Sequence, residues 1–237
     1  MKKFSLVCVF ALLFFTVAAN AANVLYFYGG DFDPNNPNAN GLGNENDAIV
    51  GGNPYGAATY QNFVVSGNIT VAQLATNNLM TITPTSVYWE IRSGVSEGNG
   101  GTLIASGTNT GNDFDSHPTG RSGFGYTEYN VDALNLSVAL SAGTYWEAVV
   151  PVCTTCNGRS FNSNTFGLNS VGTQISNQQF FNSSFFGANF TNANNEGVFQ
   201  TFSSAVYVVP EPTSMIMLGS GLLAAAGVVR RRLFNAE

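Results

Sequence analysis

Ser86-Val-Tyr-Trp-Glu-Ile-Arg92 separates its side chains into two sets at every second position. Val87, Trp89 and Ile91 fall on one side, and Tyr88, Glu90 and Arg92 on the other. A repeat of two is the spacing of a β-strand, whose successive Cβ atoms point to opposite faces of a sheet. Neighbouring stretches read the same way. Upstream, Val24–Tyr28 is a first strand stopped by Gly29-Gly30, and a long polar loop covers 31–56. Tyr60–Val65 and Ile69–Leu74 are expected to form a hairpin around Ser66-Gly67-Asn68. Downstream, Gly94–Gly101 turns the chain into a strand at 102–106, and a second polar loop is expected over 107–125. Strand character returns at 126–131, in the apolar stripe Leu134, Leu136, Val138 and Leu140, at 144–150, and in a closing strand at 199–209. Residues 157–197, rich in Asn, Phe and Ser, offer few placeable elements. No stretch of twelve residues between 22 and 209 carries a 3.6-residue period. The expectation is an all-β fold, an antiparallel β-sandwich of jelly-roll type.

The two ends differ in kind from this middle. Lys2 and Lys3 precede an apolar run, Phe4–Val17, and Ala19-Asn20-Ala21 fits the small-x-small cleavage rule. Residues 1–21 therefore read as a signal peptide, and 22–209 as one exported domain. At the other end, Pro210-Glu211-Pro212 stops the last strand, because proline lacks an N–H and holds its neighbour extended. Residues 215–229 follow without a charge, and Arg230, Arg231 and Arg232 close the run. As a helix, 215–229 is roughly 22 Å long, short of the roughly 30 Å hydrocarbon core. Snorkelling arginines and local thinning allow it to span as one C-terminal transmembrane helix. The arginines are its cytoplasmic stop.

This order of parts over 210–232 resembles the PEP-CTERM sorting signal of Gram-negative bacteria. Tails of this layout also carry an ice-binding C-terminal label, which implies nothing about ice. The resemblance implies recognition of Pro210, Glu211 and Pro212 by the membrane protease-transpeptidase exosortase. It implies transient residence in the inner membrane, then the cell surface or extracellular matrix, in a setting of exopolysaccharide. A permanent membrane anchor is the competing reading. Gly29–Asp33 with Gly41–Asp47, and Trp89–Gly94 with Leu140–Trp146, also resemble stretches of surface proteins bearing such tails. That second likeness implies a β-sandwich and no assigned activity.

Between the two ends stand three basic residues, Arg92, Arg121 and Arg159, against twelve acidic ones, a formal charge of −9. Such a surface repels phosphate backbones, so nucleic acid is excluded as a partner. Cys153 and Cys156 form a CxxC without the βαβ context of a redox site or two further ligands for zinc. A local disulfide, suited to an oxidising compartment, is expected.

Asp31-Phe-Asp-Pro-Asn35 opens like a calcium loop, yet Asn36 and Leu42 stand where an EF-hand needs glycine and glutamate. Asp31, Asp33, Glu45 and Asp47 still offer oxygens for a looser calcium cage; a turn held by Asx bonds is the alternative. No other cofactor is expected. Glu90 and Glu147 each follow a tryptophan, and a glycosidase needs two carboxylates on one scissile bond. With Arg92 on the same strand face as Glu90, an ion pair is the expected role. Tyr88, Tyr145 and Trp146 can stack on sugars or pack in a core. His117 follows Asp113 and Asp115 in a Gly- and Pro-marked stretch, and no G-x-S-x-G is present. The composite expectation is an exported, non-enzymatic surface or matrix protein. The alternative is a secreted carbohydrate-active enzyme or lectin-like module.

Overall fold

The computed structural model describes residues 22–52, 54–196, 201–210 and Gly221. The expected signal peptide 1–21, Glu211, Pro212, the 215–229 span apart from Gly221, and Arg230–Arg232 lie outside these residues. No helix among the described residues is long and apolar enough to cross a membrane. Asn23–Val209 form one compact unit.

The unit is built of strands: β1 Val24–Tyr28, β2 Gly41–Gly43, β3 Asn46–Asp47, β4 Ala58–Val65, β5 Ile69–Met80, β6 Ser86–Ser93, β7 Thr102–Thr110 and β8 Phe114–Gly123. They continue as β9 Tyr126–Ala133, β10 Val138–Leu140, β11 Gly143–Cys153, β12 Ser160–Thr165, β13 Phe180–Ser183, β14 Ala188–Asn192, β15 Thr201–Phe202 and β16 Ser204–Val208. Two antiparallel sheets result. One runs β14-β13-β4-β11-β6-β7, with β3 added parallel to β11. The other is organised by β5, which pairs β9 and β10 on one edge and β16 and β12 on the other, with β8 beyond β9 and β1 beyond β16.

The period of two in β6 has a direct structural counterpart. Val87, Trp89 and Ile91 enter the core between the sheets with Phe63, Val65, Leu74, Val149 and Val206. Tyr88 faces outward into a second cluster with Tyr55, Tyr60, Trp146, Val150 and Phe190. The β4-β11-β6 sheet is thus covered on both faces, which is why its strands stay buried at nearly every position.

Four expectations are corrected. β4 and β5 do not form a hairpin: β4 pairs β11 and β13, and β5 belongs to the facing sheet. Ser66-Gly67-Asn68 reverses the chain between layers, because Phe63 and Val65 on one strand and Val71 and Leu74 on the other must meet across the core. Residues 107–125 are not a loop but the end of β7 and all of the polar strand β8, joined by the 3-10 turn Gly111–Asp113. Within the stripe 134–140 only Val138–Leu140 is strand, and Asn135 takes a positive φ. The stretch 157–197 carries β12, β13 and β14.

Candidate functional site

The C-terminal exit is set by β16. This strand lies between β1 and β5, paired on both sides, with Val24 opposite Val208. Val209 still donates its N–H to the Thr70 carbonyl at 2.9 Å. Pro210 has no N–H to offer, so the ladder ends there. The described part of the sorting triplet, Pro210, therefore follows a fully paired strand without a linker.

The carboxylates singled out from sequence are dispersed. Asp31 Oδ1 accepts from the Tyr28 hydroxyl at 2.7 Å and from Arg121 at 2.8 Å, and Oδ2 accepts from Asn169 at 2.6 Å. Burial pushes the Asp31 pKa up, but these donors outweigh it and hold it below the usual carboxylate value. Asp33 accepts the Asn35 N–H, and Asp47 accepts the N–H groups of Ile49 and Val50, both as Asx turns. Glu45 is fully buried, takes Arg159 Nε at 2.9 Å and the Ser160 N–H at 2.5 Å, and has its pKa pushed by burial to about 7. No three of these four bring ligand atoms together, so the oxygen cage is not assembled among the described residues.

A rule of pairing emerges instead. Each arginine of the Asn23–Val209 unit meets one buried glutamate: Arg92 with Glu90 at 2.6 Å, Arg121 with Glu128 at 2.5 Å, and Arg159 with Glu45 at 2.8 Å. Glu90 is further held by hydroxyl donors from Tyr60 and Tyr88. Glu147 has no such partner. Its register neighbours are Gln61 and Ile91, which puts it between the sheets, whereas Glu90 lies opposite Ala148 on the outer face. The two carboxylates are therefore on opposite faces of one sheet, not across one scissile bond. Burial pushes the Glu147 pKa well up, and neither Oε has a hydrogen-bond partner of normal geometry.

The aromatic candidates are packed. Tyr88 and Trp146 are buried in the outer cluster, and Tyr145 lies beside Phe63 with its hydroxyl on the Ser141 carbonyl. Cys153 and Cys156 are joined at the end of β11, Cα atoms 5.3 Å apart.

The site sequence reasoning missed lies on the outer face of the β5 sheet, a cleft of about 470 Å³. Register builds it: Asp115, Asp132, Ala75 and Ala205 form one cross-strand row, and His117, Asn130 and Asn77 the next. Ala205 keeps the floor low, and Tyr28, Arg121 and Tyr207 stand around it. Burial raises the Tyr28 pKa to about 12 and also raises that of Tyr207. Asp132 is 5% exposed and takes Gln73 Nε2 at 2.9 Å; burial raises its pKa to about 6. The Asn130 carboxamide lies 2.6 Å from the other Asp132 oxygen, a hydrogen bond when its nitrogen faces that way. The sequence signal for this cleft is a set of polar residues at even spacings: Gln73 and Asn77 on either side of Ala75, Asp115-x-His117, and Asn130-x-Asp132.

Residues 208–232 match the family model of the PEP-CTERM protein-sorting motif, about a tenth of the chain. The match begins at Val208, the last residue of β16. No curated protein matches the chain. The tail thus carries a PEP-CTERM sorting motif, the mark of an exported protein sorted by exosortase.

Proposed function

We propose that this protein is a non-enzymatic component of the cell surface or extracellular matrix, delivered there by exosortase processing of its PEP-CTERM motif. The observation that carries the reading is the sorting motif beginning at the last residue of a folded sheet, so that the folded unit ends where the processing signal starts. On this reading residues 1–21 direct export, 215–229 hold the chain in the inner membrane with Arg230–Arg232 in the cytoplasm, and the disulfide forms after export. The sandwich is of jelly-roll type, as suggested by consecutive strands that repeatedly change sheet, at β4–β5, β5–β6, β7–β8, β10–β11, β11–β12 and β12–β13. Intact mass of the surface-released protein tests the route. In cells with exosortase the product should lack Arg230–Arg232, and in cells without it the chain should remain whole in the membrane fraction. A whole chain in both would leave only a permanent anchor.

Association with exopolysaccharide is part of the proposal, and the cleft is its place. Tyrosine faces and side-chain amides suit sugar rings and hydroxyls, and Tyr28, Asn77, Asn130 and Tyr207 converge there. The lectin-like reading gains from this; the glycosidase reading loses its paired carboxylates, since Glu90 and Glu147 lie on opposite sheet faces.

A further inference from the structure

The three arginines of the exported unit are committed, each to a buried glutamate. Three other buried carboxylates have no arginine ion pair: Glu147 in the closed interior, Asp132 at the cleft and Asp47. Asp47 is held by backbone N–H groups. Asp132 is different because its surroundings gather more ligands rather than cations. Asp115 stands directly across the β8–β9 ladder from it, and His117 lies two residues further along β8 on the same face. One ligand atom from each of Asp115, His117 and Asp132 lies within 4.8 Å of the others. Among the described residues no other three acidic, histidine or cysteine side chains converge in this way.

We propose that Asp115, His117 and Asp132 bind a divalent transition-metal ion of the zinc class at the rim of the cleft. One imidazole nitrogen with two carboxylate oxygens suits such an ion better than calcium, which takes oxygen alone. Asp132 is the independent sign: a carboxylate 5% exposed at the cleft, held by neutral amides alone with no arginine beside it, is a buried charge still without its cation. β8 pairs only with β9, and the side chains of His117 and Asp115 are 55% and 58% exposed, so both can move inward to bonds of about 2.0–2.2 Å. Gln73, bonded to Asp132, fixes that carboxylate as outer-shell partners of metal ligands do. Three protein ligands leave coordination positions open toward the cleft. The inference does not depend on what else the cleft holds.

The test is titration of zinc into the exported protein, purified without a polyhistidine tag and stripped with chelator, followed by calorimetry. Saturation at one ion per chain is expected. His117→Ala, at an exposed position, should weaken binding at least tenfold, and Gln73→Ala by about tenfold, with circular dichroism unchanged in both. Cobalt in place of zinc should give d–d absorption bands that His117→Ala removes. Absence of saturable uptake, uptake indifferent to His117→Ala, or a preference for calcium over zinc would each overturn the proposal.

Discussion

At the scale of the residue, the fold is governed by where so few cations go. Glu90 is buried against Arg92 and two tyrosine hydroxyls, so Arg92→Met should leave an unmatched charge and lower stability by about 3 kcal/mol. Adding Glu90→Gln should recover most of that loss in urea denaturation; a double variant as weak as the single one would show that packing of the guanidinium over Phe190 dominates. Glu147 makes the opposite case. Its folded-state pKa lies above the unfolded one, so its contribution is fully present below the ordinary glutamate value and is lost as pH rises toward the folded value. Glu147→Gln should therefore match the native protein near pH 4 and exceed it by about 1–3 kcal/mol at neutral pH. Equal stability at both pH values would mean that the carboxyl finds a donor. Of these pairs only Glu90–Arg92 was legible in sequence, because two residues on one strand share a face. Arg159 lies 114 residues from Glu45, and nothing local announces that meeting.

At the scale of the element, β6 was readable because each of its faces packs on its own cluster. Chain reversal at Ser66-Gly67-Asn68 was readable too, but a turn residue sets direction and not partner. The partners of β5 come from positions up to 208. The second half of β7 and all of β8 hid because exposed polar strands lack an apolar stripe. The cleft hid for a related reason: its row of residues comes from four strands. Gly29, legible only as a strand stop, turns out to meet backbone, since a Cβ there would sit 1.9 Å from the Phe202 carbonyl oxygen. Gly29→Ala should cost about 3 kcal/mol or more in stability. A melting temperature within a degree or two of the native one would show that β1 shifts freely. The disulfide at the end of β11 closes a very short loop, so serine at both Cys153 and Cys156 should lower stability by only about 2 kcal/mol. Free thiols in protein isolated without reductant would remove that contribution altogether.

At the scale of the whole molecule, the tail was the most legible part because its information is local: three residues, an apolar run and a charge block in fixed order. Processing that reads Pro210-Glu211-Pro212 should fail in Glu211→Gln, leaving a form about 3 kDa heavier, for residues 210–237 at ~110 Da per residue. An unchanged product mass would show that the carboxylate is not read. The pairing of Val24 with Val208 carries a topological consequence. Entry and exit of the exported unit are neighbours on one ladder, so the intervening chain forms an almost sealed ring. A cut beyond Val209 therefore opens nothing: it falls outside the ring and leaves every strand of the sandwich in place.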